Sequence, residues 1–452
     1  MTSPVPERQE GPRLAAAGLR ILVLGGGFGG VWTARHLERL FARQAGVEIT
    51  LVSRDNFFLM TPLLFEVCSG ALEMRHCSVP VRDFLRATRF VEATVEEIDL
   101  DRRVVRAAAP EGEGYELPYD QLVLALGAMT NLTLISGSAS AFTFKTVADA
   151  ILLRNHMIER FERADVENDP ERKRRLLTFV VIGGGLVGTE LFGELTGFAD
   201  EIVRYYKRVR RDEVRFLLYE GGGRLLPEIE EELAGYAART LAARRGASLR
   251  PHSAVRAVEP GMVHLEHESV AADTIVLSAG ILPSPLAAGL PLDKDQRGHI
   301  VVDATMRCAA RPEVWALGDC ALIPDPKGKP YPYLAQHALR EAKVLARNIH
   351  AAVNGRPLEP FVYKMLGVMA SLGHSRGLGK VLGVPLRGFV AWWVRRTYYL
   401  LQMPLWSRRL RIVFDWTLAL LFRPDTVKVD LAPESALLLR NSAAGAVTRG
   451  QP

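Results

Sequence analysis

One glycine pattern occurs twice in this chain, and it constrains the fold more than any other feature. The first copy lies in "ILVLGGGFGG", residues 21–30, as Gly25-x-Gly27-x-x-Gly30. The second lies in "VVIGGGLVGT", residues 180–189, as Gly183-x-Gly185-x-x-Gly188. Each follows an apolar, β-branched run and precedes residues of helical periodicity, so each reads as a strand-to-helix turn. Glycine serves three needs there: a tight turn, close approach of the backbone to a diphosphate, and close packing of helix on strand. The free amides and the positive end of the following helix then hold the anion. A single copy is weak evidence, because a glycine-rich turn can lack any chemical role. Two copies in the same context imply two dinucleotide sites.

A site of this kind carries an acid at the end of its second strand, where it bonds a ribose hydroxyl. After the second motif, "VRFLLYE" ends in Glu220. That is beyond the usual spacing of about 20 residues, and the basic insertion "RYYKRVRRDE" at 204–213 supplies the excess. A carboxylate here repels a 2′-phosphate and favours NADH over NADPH; Arg224, close behind, softens that preference. After the first motif, "VEITLVSRDNFF" places Ser53 where the acid is expected, with Asp55 nearby. A serine hydroxyl bonds a ribose oxygen more weakly than a carboxylate does.

The order of segments predicts an α/β chain with two Rossmann-like domains, the second inserted in the first. Residues 20–127 form one dinucleotide half ending in "YDQLVLALGAMTN", and residues 178–280 repeat the plan, ending near "DTIVLSAGILPSP". Strand character then returns in "HIVVDATMRCAARPEVWALGDCALIP" and stops at Gly318-Asp319, where an aspartate can bond a ribityl chain or diphosphate.

At 452 residues the chain is long enough for two or three units with large cores,. Its four cysteines form no CxxC pair, which favours a reducing compartment and inert buried thiols,. The ten histidines show no metal-ligand spacing, so no metal site is expected,. The net charge of +6 suits an anionic partner,. The basic run at 204–211 has no nucleic-acid module around it and reads as a solvated helix end, so no nucleic-acid partner is expected. Residues 1–18 read as a disordered leader and 431–452 as a loose tail. No stretch reaches the roughly 20 apolar residues of a spanning helix.

The segment 386–422 is different. Four of the six tryptophans lie in 389–416, threaded with arginines. The pattern predicts two helices, 386–403 and 405–422, broken at Pro404. In the second, Arg408, Arg411 and Asp415 share one stripe, while apolar residues take the rest. A helix so apolar has to bury that face. Tryptophan and tyrosine suit the headgroup zone and arginines suit anionic lipid, so the expectation is a pair of helices lying in a membrane surface. A homodimer interface is the alternative use of that face.

The segments "ILVLGGGFGG", "FFLMTPLLFEVCSGAL", "LVLALGAMTN", "VVIGGGLVGTELFGEL", "VWALGDCALIPD" and "YLAQHALREAKVLARNI" resemble the two-dinucleotide flavoproteins and, among them, the type II NADH:quinone oxidoreductases. The resemblance runs from about residue 20 to about residue 425. It implies FAD at the first motif, held by Gly25, Gly27, Gly29, Gly30, Ser53, Arg54, Pro62, Ala125, Gly127, Gly318 and Asp319. It implies NADH at the second, held by Gly183, Gly185, Gly188, Glu220 and Gly280. It sets Glu190 near the nicotinamide and flavin, and Gln336 in the quinone pocket. The implied domains are 19–145 with 288–360 for FAD, 146–287 for NADH, and 361–430 for membrane anchoring. The implied activity is hydride uptake from NADH and transfer of two electrons to a membrane quinone in a respiratory chain. It involves no proton pumping and takes place at the cytoplasmic face of the membrane. There are two departures. Ser53 replaces the usual acid, and Arg340, followed by Glu341, stands where the second glutamine of an "AQxAxQ" segment belongs. An NAD(P)H-dependent reductase of a soluble acceptor such as ferredoxin or rubredoxin is the rival enzyme. A flavin-binding membrane adaptor without turnover is the rival of another class.

Overall fold

The computed structural model describes residues 18–365, 367–422 and 426–428. All of the expected leader but Gly18, and the whole of the expected tail, lie outside them. The chain divides into two compact units. The first takes the residues up to Leu59, then Ser78–Met129 and Leu282–Lys364; the second takes Met60–Cys77, Thr130–Ile281 and the residues from Met365 on.

The first unit is built on a six-stranded sheet. Across the sheet the strands run Arg307–Cys308, Arg311–Ala316, Gln121–Leu124, Leu19–Leu24, Val47–Ser53 and Arg89–Glu92, and the last five are mutually parallel. The strand Leu19–Leu24 is central, and its last four residues are buried, as expected where a parallel sheet is covered on both faces. Leu24 pairs with Val52 on one side and Leu124 on the other, so these strands end level. Sequence order reverses beside Leu19–Leu24, and the crevice outside the carboxyl ends at such a reversal is where open α/β sheets bind ligands.

The second unit repeats the plan with four parallel strands, ordered Ala247–Arg250, Arg215–Tyr219, Thr178–Ile182 and Thr274–Leu277. All five residues of Thr178–Ile182 are buried. The duplication extends further than the glycine motifs. In each unit a three-stranded antiparallel sheet fills the connection between the third and fourth strands of the repeat: 94–118 in the first, 257–271 in the second.

The second unit also carries the C-terminal segment. A three-stranded sheet of Met369–Ser371, Gly377–Val381 and Val384–Arg387 leads into the helices Gly388–Gln402 and Trp406–Leu421. The break falls at Met403–Leu405, around Pro404, which cannot donate a helical hydrogen bond. The apolar face that the second helix has to bury is left uncovered by the described residues of the chain, as a face meant for a membrane surface or a second copy would be. Only Ile412 is buried, while Phe414, Leu418 and Leu421 are 65%, 51% and 73% exposed. Of the polar stripe, Arg408 and Asp415 turn to the chain while Arg411 stays exposed, and Trp416 joins them. Arg408 donates to the Arg75 carbonyl, Asp415 pairs with His76, and the Trp416 indole N–H donates to Glu66. Among the described residues no helix is long and apolar enough to cross a membrane.

Candidate functional site

In the first unit the strand Leu19–Leu24 delivers the chain to Gly25, whose φ is +110°. A Cβ there would lie 2.2 Å from the Ala125 carbonyl oxygen, and one at Gly30 would lie 1.9 Å from the carbonyl oxygen of Gly25. Neither position admits a side chain. Gly29 packs on Leu317, where a Cβ would meet the side chain at 3.1 Å. Gly27 differs: nothing lies within 4 Å of its Cβ position. Gly27 is also the N-cap of the helix Phe28–Phe41 and offers no side-chain cap. The turn therefore has tight glycines on its protein side and one open glycine on the ligand side, with helix N–H groups behind it. That is a cradle a diphosphate fits.

Ser53 ends the second strand, and its hydroxyl would lie 2.3 Å from a Cβ at Gly26. The hydroxyl accepts from the Asp55 amide at 3.3 Å. Arg54 is solvated and lies 3.9 Å from Asp55. Ala125 continues the neighbouring strand end, and Gly127 takes φ +64° with open space at its Cβ position. Gly318 also has positive φ, and its amide donates to Glu341 at 2.9 Å. Glu341 is 3% exposed. Burial raises its carboxyl to about 8, against the pull of that amide and with a further push from Asp319,. The sequence marked Glu341 only as a departure from a motif. Its role in pinning the Gly318-Asp319 turn emerges from the helix Ala335–Val353 packing beneath that turn.

Gln336 stands in the first turn of that helix and receives a hydrogen bond from the Tyr363 hydroxyl at 3.4 Å. Arg340 folds back to the Gln336 carbonyl and lies 4.5 Å from the centre of the Tyr363 ring. His337 is buried, and burial lowers its imidazole to about 4, which suits a neutral packing residue.

The second glycine turn, in the second unit, repeats the first. Gly183 has φ +108°, and a Cβ at Gly188 would lie 1.9 Å from the Gly183 carbonyl oxygen. Gly185 caps the helix Leu186–Ile202 without a side-chain bond. Glu220 follows the strand Arg215–Tyr219 and accepts from the amides of Gly184 and Gly222, each at 2.6 Å. The two bonds fix the carboxylate beside the turn. Arg224 directs its guanidinium to the carbonyls of Leu226, Pro227 and Ile229. Gly280 takes φ +71°, and its carbonyl accepts from Asn131.

The helix that starts at this turn also carries a buried ionic cluster. Glu190 lies 2.8 Å from the Arg395 guanidinium and accepts from the Ser371 amide at 2.6 Å. Arg395 comes from the helix Gly388–Gln402, donates to the Pro62 carbonyl and lies 5.0 Å from the centre of the Tyr399 ring. Burial raises Glu190 to about 7, with Arg395 and the Ser371 amide pulling the other way,. Beside it Arg396 makes two 3.1 Å contacts with Glu66 and lies between the rings of Trp392 and Trp416. Sequence reasoning found Glu190 and Pro62 and missed Arg395, Arg396, Glu66, Glu194 and Ser371. The available signal was a pair of arginines set into an otherwise apolar helix, "WWVRRTYY".

The four cysteines are all buried, and none is in a disulfide among the described residues. Burial pushes Cys68 and Cys308 to about 12 and Cys320 to about 11, so none of these three offers a thiolate at neutral pH,. The basic run is satisfied by local partners: Arg208 by Asp165 and Asn168, Arg210 by Asp212, Arg211 by Asp200.

Residues 19–342 match the pyridine nucleotide-disulphide oxidoreductase family. The chain is 30% identical over 377 residues to a type II NADH:quinone oxidoreductase of Staphylococcus aureus, covering 82% of this chain and 91% of that protein. It is 30% identical over 405 residues to a demethylphylloquinone reductase of Synechocystis, covering 88% and 95%. Among solved structures, an NDH2 of Plasmodium falciparum in complex with NADH superposes with a TM-score of 0.83 at 19% identity, over 91% of this chain and all of that one.

Proposed function

The chain belongs to the pyridine nucleotide-disulphide oxidoreductases and, within them, to the type II NADH:quinone oxidoreductases; from that premise we propose that it oxidises NADH and reduces a membrane quinone by two electrons without pumping protons. The observation that carries the reading is the doubled turn. Gly25 and Gly183 share one strained backbone angle, and Gly30 and Gly188 share one forbidden Cβ contact. A chain with one such turn binds a dinucleotide; a chain with two is equipped to pass electrons between two.

The residues that would hold FAD are Gly25, Gly27, Gly29, Gly30, Ser53, Ala125, Gly127, Gly318 and Asp319 in the first unit, with Arg54 at the rim. The resemblance also implies Pro62. FAD supplies the chemistry neither substrate can do directly, accepting a hydride and releasing two electrons. NADH would be held by Gly183, Gly185, Gly188 and Gly280, with Glu220 facing the ribose hydroxyls. Glu220 repels a 2′-phosphate, and the Arg224 guanidinium is committed to three carbonyls, so NADH is preferred to NADPH. Glu190 holds its carboxylate at a fixed place against Arg395 and can take or give a proton near neutral pH,. Gln336, oriented by Tyr363, serves the quinone. The outward apolar face of Trp406–Leu421 supports docking of residues 386–422 on the cytoplasmic face of the membrane, where an oily acceptor is dissolved,.

Anaerobic mixing with NADH tests the reading. The yellow flavin bleaches, and a short-chain quinone restores its colour while ferredoxin does not. Colour restored by ferredoxin and by no quinone overturns the acceptor; a flavin that NADH never bleaches overturns the enzyme.

A further inference from the structure

The two glycine turns share a backbone and differ in what stands before them. At Gly27 nothing lies within 4 Å of the Cβ position. At Gly185, its counterpart in the second turn, one atom does: Oε1 of Glu228, at 3.3 Å. An acid thus stands on the open side of the cradle, at the N-cap of the helix Leu186–Ile202. Glu228 is exposed, and among the described residues its carboxylate forms no hydrogen bond and no ion pair. Its place is set by the chain around it. The Leu226 amide donates to the Gly184 carbonyl at 2.8 Å, and the Gly184 amide donates to Glu220 at 2.6 Å, so the loop after Glu220 is tied to the turn. Leu225, Leu226 and Ile229 are buried, and Leu226 takes φ +51° to make the bend. A leucine holds that angle only where its surroundings dictate it. Arg224 closes the loop by donating to the carbonyls of Leu226, Pro227 and Ile229, which lie on either side of residue 228. The backbone under Glu228 is pinned, and the charge stays beside the turn.

The amides and the positive end of the helix favour an anion in the cradle. A carboxylate beside the cradle opposes the same anion. We propose that Glu228 is a specificity-determining residue: its charge weakens the binding of a dinucleotide at the second turn, and weakens most one that carries a further phosphate on its ribose. Glu220 and Glu228 then flank the turn together, Glu220 held by two backbone amides and Glu228 over the open glycine. Arg224 directs its donors to carbonyls and pairs with neither acid among the described residues. In water, a unit charge about 4 Å from another changes an equilibrium constant by roughly a factor of five. The contrast between the turns suits their ligands. A cofactor that stays bound meets no acid at Gly27, whereas a substrate that has to leave after each turnover meets one at Gly185. The inference rests on the reading above that the second turn takes NADH.

Titration calorimetry of the flavin-loaded enzyme with NAD+ and with NADP+, neither of which reduces the flavin, tests it. Glu228→Gln keeps the size of the side chain and removes its charge. It is expected to lower the Kd for NAD+ about fivefold and the Kd for NADP+ by a larger factor. High salt should shrink both gains, because the charge is exposed. Glu228→Asp keeps the charge and should gain little on either ligand. An unchanged or higher Kd for NAD+ in Glu228→Gln overturns the proposal. So do equal gains for the two dinucleotides, gains that persist in high salt, or a gain in Glu228→Asp that matches Glu228→Gln. Failure in these titrations leaves the oxidoreductase reading standing, because bleaching of the flavin by NADH tests that separately.

Discussion

The Arg395 guanidinium lies 2.8 Å from the Glu190 carboxylate, both side chains nearly sealed from solvent. One comes from the helix behind a glycine turn and the other from a helix near the end of the chain. Removing one partner of a buried pair strands the other charge and costs about 3–5 kcal/mol. Arg395→Met is expected to lower the melting temperature by several degrees and to cut kcat, with Arg395→Lys partly restoring both. Thermal denaturation and steady-state rates check this.

The two glycine turns should fail separately. Gly30→Ala and Gly188→Ala each drive a Cβ to 1.9 Å from a carbonyl oxygen. The first is expected to give a protein that purifies with little flavin. The second should keep its yellow colour and lose NADH affinity by tenfold or more, equal to about 1.4 kcal/mol. Absorbance spectra and the KM for NADH separate the two outcomes.

Stability should fall as the solution turns alkaline. Glu341 is raised to about 8 and Glu190 to about 7 by burial, so the folded chain binds protons that the unfolded chain releases near 4.5. Their contribution is complete below the unfolded value and is lost as pH climbs through 7 and 8. The half-buried His36 and His156 and the buried His337, each lowered to about 4, act oppositely: their contribution is present above 6.5 and is lost as pH falls through 4. Melting temperature measured against pH should therefore peak in the mildly acidic range. Glu341→Gln should flatten the alkaline side.

On the membrane docking proposed above, charging the outer face of Trp406–Leu421 should release the protein from lipid. Full burial of an apolar side chain is worth about 1.5–3 kcal/mol, so Phe414→Glu with Leu418→Glu should weaken liposome binding at least tenfold. Flotation with vesicles measures it, and oxidation of NADH by a water-soluble acceptor should persist.

The glycine turns were legible because their requirements are local. A positive φ at Gly183 and a forbidden Cβ at Gly188 restrict the residue type whatever the rest of the chain does. The break at Pro404 was legible for the same reason. The ionic cluster was not, because Glu66, Glu190, Ser371 and Arg395 are far apart in sequence and only packing brings them together. Nor was the antiparallel sheet between the third and fourth strands of each repeat, whose short strands carry little periodicity. Which face of Trp406–Leu421 the chain itself covers was not legible, on a general ground. Amphipathic spacing shows that a helix has two faces, but it does not say which one the chain itself will cover.

That orientation has a practical corollary. Trp406–Leu421 keeps its ionic contacts for its own fold and leaves an oily strip outside, the reverse of a water-soluble amphipath. In water such strips tend to adhere to one another, so the particle size seen in a purification is expected to change with the detergent.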